Sequence, residues 1–167
     1  MKPSRRYGKR SDLALSLWVK LARAYWTFAH HSHKDIERYA LTPPQFAVLE
    51  ALGHLGSLTL GDLSKKRLVT GGCMTLVVDN LEKEGLVERK RCTEDRRIIH
   101  VHLTAMGTRV FRTVFPPHAQ RITELASVLS EKEQIQLSVL LKKIGLKLAE
   151  REGNHDHASV AGRTPSL

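Results

Sequence analysis

Between Leu41 and Leu103 the chain sets three helices and then two runs of strand character into one short stretch, an order that few folds accept. The first start is complete: Thr42 suits the N-cap, Pro43 the first helical position and Gln45 the return bond of a capping box, with Leu41 placed to staple onto Phe46. That helix is expected to reach about Leu52. Thr59 with Asp62 repeats the signal for a short helix through about Arg67, with Leu60 and Leu63 on its buried side. After a break at Val69 and Thr70, the residues Met74, Val77, Val78 and Leu81 fall on one helical face, so a third helix from Thr70 to about Glu84 has one side buried. Its other side carries Gly71, Gly72, Thr75, Leu76 and Asp79, and Gly85 stands where the helix stops.

Leu86 to Arg91 and Ile98 to Leu103 read as strands, the second alternating Ile99, Val101 and Leu103 with His100 and His102. The link Cys92-Thr93-Glu94-Asp95-Arg96-Arg97 makes the pair a hairpin with a charged tip. Long helices flank this block. One, Ser11 to about Arg38, repeats Ala14, Leu17, Trp18, Leu21, Tyr25 and Phe28 at helical spacing. Another, from Thr104 with Val110, Phe111, Val114, Phe115, Ile122, Leu125 and Leu129, is expected to bend or break at Pro116 and Pro117. A capping box at Ser130 and Glu133 then opens a last helix with Leu137, Leu140, Leu141, Ile144 and Leu148. The fold class is mainly α with a small β-hairpin. The outer helices carry more apolar surface than the central block can cover, which points to a partner subunit and, as the commonest form, a twofold homodimer.

Lysine and arginine number 27 against 17 acidic residues, a net charge of +10, and a polyanion is the simplest partner for that excess. Nucleic acid leads, with an anionic membrane surface second. No apolar run approaches the roughly 20 residues that span a bilayer, and the first residues are too basic for a signal-peptide core, so a cytoplasmic protein is expected. Cys73 and Cys92 have no paired spacing for a disulfide framework or a zinc site. There is no glycine-rich phosphate loop, nucleophile elbow or metalloprotease histidine pair, so no enzyme and no cofactor is expected.

Two helices joined by a tight turn, the second short and presenting small polar groups, match the helix-turn-helix device for entering the major groove of duplex DNA. Lys65, Lys66 and Arg67 precede the turn, where they suit flanking phosphates or a merely solvated charge run. The recognition helix would open on Thr70, Gly71, Gly72 and Cys73. Each glycine costs about 1 kcal/mol against alanine there, and two readings stand: close approach to phosphate or base edges, or an easy inter-helix turn. Thr75, one turn in, offers a hydroxyl to phosphate or base and a methyl to thymine. At the hairpin tip Asp95 and Arg97, with Arg96 between them, can place a guanidinium in the minor groove with a carboxylate fixing its rotamer.

His30, His31 and His33, with His118 near them in a dimer, suggest a metal group, but no acidic or thiolate member stands at convincing spacing and no metal is assigned. Cys73 near a helix N-terminus allows a redox-sensing alternative, and an unreactive thiol is the simpler reading. A module that binds protein instead of DNA is a further alternative, against which the charge of +10 argues.

The stretches Leu-Thr-Pro-Pro-Gln-Phe-Ala-Val-Leu at 41 to 49, Val-Asp-Asn-Leu-Glu-Lys-Glu-Gly-Leu-Val-Glu-Arg at 78 to 89, Glu-Asp-Arg-Arg at 94 to 97 and Leu-Thr-Ala-Met-Gly at 103 to 107 together closely resemble the MarR family of bacterial regulators. The resemblance covers about residues 11 to 149. It implies a winged helix-turn-helix homodimer on a pseudo-palindromic operator, commonly a repressor released by a small phenolic or other anionic ligand, a metal or an oxidant. By the family pattern Arg97 matches the wing arginine of the minor groove, Asp95 its partner, and Thr75 the threonine position of the recognition helix. The Gly71-Gly72-Cys73 run departs from the polar readers more usual there, and the family's organic-peroxide sensors use a cysteine near the N-terminus that this chain lacks. The expected organisation is a basic arm over residues 1 to 10, one domain over 11 to 149 with its DNA-binding core at about 41 to 107 and dimerisation helices at about 11 to 38 and 108 to 149, and a disordered tail over 150 to 167.

Overall fold

A computed structural model describes residues 7–66, 71–92, 95 and 98–161, the side chains of 71–73 and 152–161 excepted. The described elements follow in the order α1 (Lys9–Glu37), α2 (Pro43–Leu55), β1 (Leu58–Thr59), α3 (Leu60–Lys65), α4 (Gly71–Lys83), β2 (Val87–Arg91), β3 (Ile99–Leu103), α5 (Ala105–Ala126) and α6 (Glu131–Ala161). Contacts divide the chain into two units, Met1–Thr123 and Glu124–Leu167, where the composition suggested one.

The capping boxes form as the sequence reads. Thr42 Oγ1 accepts from the Gln45 N–H at 3.4 Å, and Gln45 Oε1 accepts from the Thr42 N–H at 2.9 Å. Thr59 and Asp62 repeat the exchange at the head of α3, and hydrogen bonds from the Thr59 hydroxyl and N–H hold the Asp62 carboxyl below the usual carboxylate range. In the second unit Glu133 accepts from the Ser130 N–H and hydroxyl at 2.8 and 2.7 Å, with the same effect on its own carboxyl.

Gly85, at φ 70°, ends α4 in a left-handed turn that suits glycine. The Leu86 N–H then reaches back to Leu81 O at 2.9 Å and the Gly85 N–H to Glu82 O at 3.0 Å. Leu81 and Leu86 are both buried, so the turn carries its hydrophobic clasp and points the chain straight into β2. The sheet has the order β1-β3-β2, antiparallel throughout, with Leu58 and Arg89 both opposite Val101. Sequence periodicity misses β1 because a two-residue strand has no period to show.

Leu49, Leu63, Met74, Leu81, Val48, Val78, Val87 and Val101 are almost wholly enclosed and form the centre of the core. Leu60, expected buried with Leu63, is half-exposed beside it. At the head of α5 the Thr104 hydroxyl donates to Gly85 O at 2.7 Å and accepts from the Gly107 N–H at 3.0 Å, while the Thr104 N–H donates to Leu86 O at 3.1 Å. One threonine thus caps α5 and pins it to the turn that ends α4.

Three expectations need correction. α5 runs through Pro116 and Pro117 without interruption. Both prolines are exposed, so the carbonyls of Arg112 and Thr113 that lose their donors belong to exposed residues and can turn to water. α1 begins at Lys9, which draws Lys9 and Arg10 out of the basic arm and into a first helical turn with Asp12. α6 continues past residue 150 to Ala161, since Ala149, Glu150 and Arg151 favour helix and no proline intervenes before Pro165.

Outside the core the apolar stripes lie bare. Leu17, Trp18, Tyr25 and Phe28 of α1 are exposed, and in the second unit so are Ile135, Leu137, Val139, Leu140, Leu141, Leu146 and Leu148 of α6. Among the described residues no helix is long and apolar enough to cross a membrane.

Candidate nucleic-acid interface

α3 and α4 form the helix pair. Lys65 and Lys66 end α3 and are both exposed. On α4 Met74, Val78 and Leu81 are buried, which leaves Thr75 and Leu76 facing solvent, as the spacing requires. Gly71, Gly72 and Cys73 make the first turn of α4, the end at which a helix dipole favours an anion. Thr70, Arg67, Arg96 and Arg97 lie outside the described residues.

β2 and β3 pair from Val87↔Leu103 to Arg91↔Ile99, and the hairpin closes with the Cys92 N–H donating to Ile98 O at 2.9 Å. Asp95 sits at the tip, its carbonyl accepting from the Ile98 N–H at 2.9 Å. Cys92 is half-buried at the base of the tip.

Asp79, read from the sequence as part of the outer face of α4, is engaged instead by Arg89 of β2. The Arg89 guanidinium donates to Asp79 Oδ1 at 2.6 Å and to Glu82 Oε2, while its backbone N–H donates to Glu82 Oε1 at 3.0 Å. Partial burial works against the charge and the two carboxylates outweigh it, so the Arg89 pKa lies above its ordinary value. No sequence signal marks this clamp, because α4 and β2 are joined by a turn that brings distant positions together only once folded. Lys90 pairs with Glu88 at 2.6 Å on the exposed side.

Away from this face, His118 of α5 is buried with its Nδ1 2.9 Å from Asp35 Oδ2 of α1, its ring edge-on to Phe46 of α2. Arg38 reaches the other Asp35 oxygen at 3.3 Å. His118 and Phe46 border a cavity of about 450 Å³ that Tyr25, His33, Pro43 and Glu50 also line. His118 and His33 both line this cavity, His118 takes a carboxylate partner, and among the described residues no three histidine, cysteine, aspartate or glutamate side chains converge as a metal would need.

A short helix pair with basic flanks, a following antiparallel hairpin and long helices at both ends define a winged helix-turn-helix DNA-binding regulator of transcription. The sequence profile of the MarR family matches residues 41–99. The HTH-type transcriptional regulator MhqR of Bacillus subtilis is 39% identical over 136 residues, 81% of this chain and 94% of that one. Among solved structures, a mutant MarR from E. coli complexed with operator DNA is similar at 25% identity and a TM-score of 0.71, covering 82% of this chain and 99% of its own. Bordetella bronchiseptica BpsR, whose DNA binding is regulated by 6-hydroxynicotinic acid, is similar at 27% identity and 0.70, covering 78% and 98%. The chain belongs to the MarR family, a family of transcription regulators.

Proposed function

We propose that the protein is a cytoplasmic homodimeric repressor that lays α4 of each subunit in the major groove of a pseudo-palindromic operator and the hairpin tips in the flanking minor groove. The observation that carries this reading is the outer face of α4: Thr75 and Leu76 stand free of the core beside exposed Lys65 and Lys66, on a helix whose N-terminus favours phosphate. Thr70, Gly71, Gly72, Cys73, Asp95, Arg96 and Arg97 complete the proposed contact set, and residues 1 to 10 add phosphate contacts. Half-sites then lie about one helical turn apart, roughly 10 base pairs. Selection of bound duplexes from a random pool tests this, and a selected pool without dyad symmetry defeats it.

The dimer is supported by the bare stripes of α1 and α6, which a soluble monomer does not ordinarily expose at this extent. Sedimentation at micromolar concentration is expected to give twice the mass of the chain, and a single-chain mass refutes the assembly.

The effector is proposed to be a small hydroxylated or anionic aromatic molecule in the cavity between α1, α2 and α5. Its walls support this: Phe46, Ile36 and the prolines offer apolar surface, while His118, fixed by Asp35, and His33 offer polar groups to a ring substituent. The structural similarity to BpsR, a regulator that answers to such a molecule, adds support. Titration with 6-hydroxynicotinic acid and with simple phenols is expected to release operator from the unmodified protein and not from His118→Phe. Release of both proteins alike places the effector elsewhere.

A further inference from the structure

Arg89 is an arginine beside the face proposed to meet DNA, yet both terminal nitrogens of its guanidinium are already engaged, one by Asp79 and the other by Glu82. Its side chain is 20% exposed, against 42% and 40% for Asp79 and Glu82. Ion pairs with exposed partners contribute little stability on their own. What this one supplies is geometry, because a planar fork on two acceptors fixes distance and angle where a point charge fixes neither. Asp79 and Glu82 lie three apart on α4 and so share one side of it, and Arg89 grips both from β2, the strand that leads to the hairpin tip. The Glu82 carboxylate also holds the Arg89 backbone N–H, which ties the strand itself, and not only its side chain, to the helix.

Charge makes the same point. One guanidinium between two carboxylates leaves a local net negative, so a phosphate brought to Arg89 would meet two acidic groups already in place.

We propose that Arg89 is a positioning residue for DNA recognition: it locks α4 to β2 so that the outer face of α4 and the hairpin tip dock on DNA as one rigid unit, and it makes no phosphate contact itself. This rests on the reading of α4 and the hairpin as the DNA-contacting elements.

The test uses the full chain and a duplex selected from a random pool with the unmodified protein. Affinity for that duplex and for an unrelated one is measured across a salt series for Arg89→Ala, Arg89→Lys, Asp79→Asn and the Arg89→Ala/Asp79→Asn pair, with Thr75→Ala as the interface control. Loss of the lock is expected to weaken selected-duplex binding roughly tenfold in Arg89→Ala and nearly as much in Arg89→Lys, the worth of one misplaced base contact. Affinity for unrelated duplex and the salt slope stay as they were, and the paired variant is no weaker than Arg89→Ala alone. A salt slope that falls by about one in Arg89→Ala and is restored in Arg89→Lys means that Arg89 touches a phosphate, and overturns the proposal. Unchanged affinity in every Arg89 variant while Thr75→Ala weakens also overturns it and leaves the interface standing. If Thr75→Ala is unchanged too, the interface reading itself falls. Should Arg89→Ala fail to fold, Arg89→Lys and Asp79→Asn carry the same comparison.

Discussion

Arg97→Ala is expected to weaken operator binding by roughly 1 to 3 kcal/mol while the melting temperature and the dimer stay unchanged. A guanidinium at the end of a stiff hairpin is well placed for the narrow, negative minor groove, where its charge is concentrated against that of the phosphates. The hairpin is stiff for visible reasons: five strand pairs run from Val87↔Leu103 to Arg91↔Ile99, and the Cys92 N–H closes the last rung on Ile98 O. Asp95→Ala should cost less, because the arginine then keeps its charge and loses only a preferred rotamer. The double variant should match Arg97→Ala, since the carboxylate has no role without its partner. Electrophoretic or fluorescence titration across a salt series measures all three. Affinity and salt slope unmoved by both substitutions would make the hairpin a solvated turn.

Gly107→Ala is expected to cost stability at the upper end of about 1 to 3 kcal/mol. A Cβ there would overlap the Leu86 carbonyl oxygen and stand 2.9 Å from its carbonyl carbon. Backbone cannot swing aside as a side chain can, and this carbonyl also accepts from the Thr104 N–H. The added methyl must therefore pry α5 from the turn after α4, where the Thr104 hydroxyl holds Gly85 O and the Gly107 N–H together. Thermal unfolding should show a drop of several degrees, about 2 to 4 °C for each kcal/mol at this chain length. A variant that melts with the unmodified protein would show that the junction yields freely.

The same junction shows what the sequence could and could not tell. Leu-Thr-Ala-Met-Gly at 103 to 107 stands out as a family motif, but its meaning is a close approach between α5 and a carbonyl twenty-one positions earlier, which no local period encodes. Helix heads at Thr42, Thr59 and Ser130 were legible because a capping box is written in four consecutive residues. The buried face of α4 was legible from period alone, and on β3 the period marked Val101, the one residue of that strand that is buried. Arg89 on Asp79 and Glu82, and His118 on Asp35, were not: each joins elements whose mutual rotation is settled by packing. The prolines of α5 misled for a related reason, since on the exposed side of a helix the carbonyls that lose their donors can bond to water.

The exposed stripe of α1 also fixes where light is absorbed and emitted. The chain has two tryptophans, Trp18 and Trp26, and both lie on that helix at 65% and 72% exposure. Its indole emission therefore comes from α1 alone, far in sequence from the helix pair and the hairpin. Covering α1 with apolar surface shifts that emission to the blue. Dilution of the unlabelled protein is then expected to report dissociation of the proposed dimer as a red shift of that emission, without a dye.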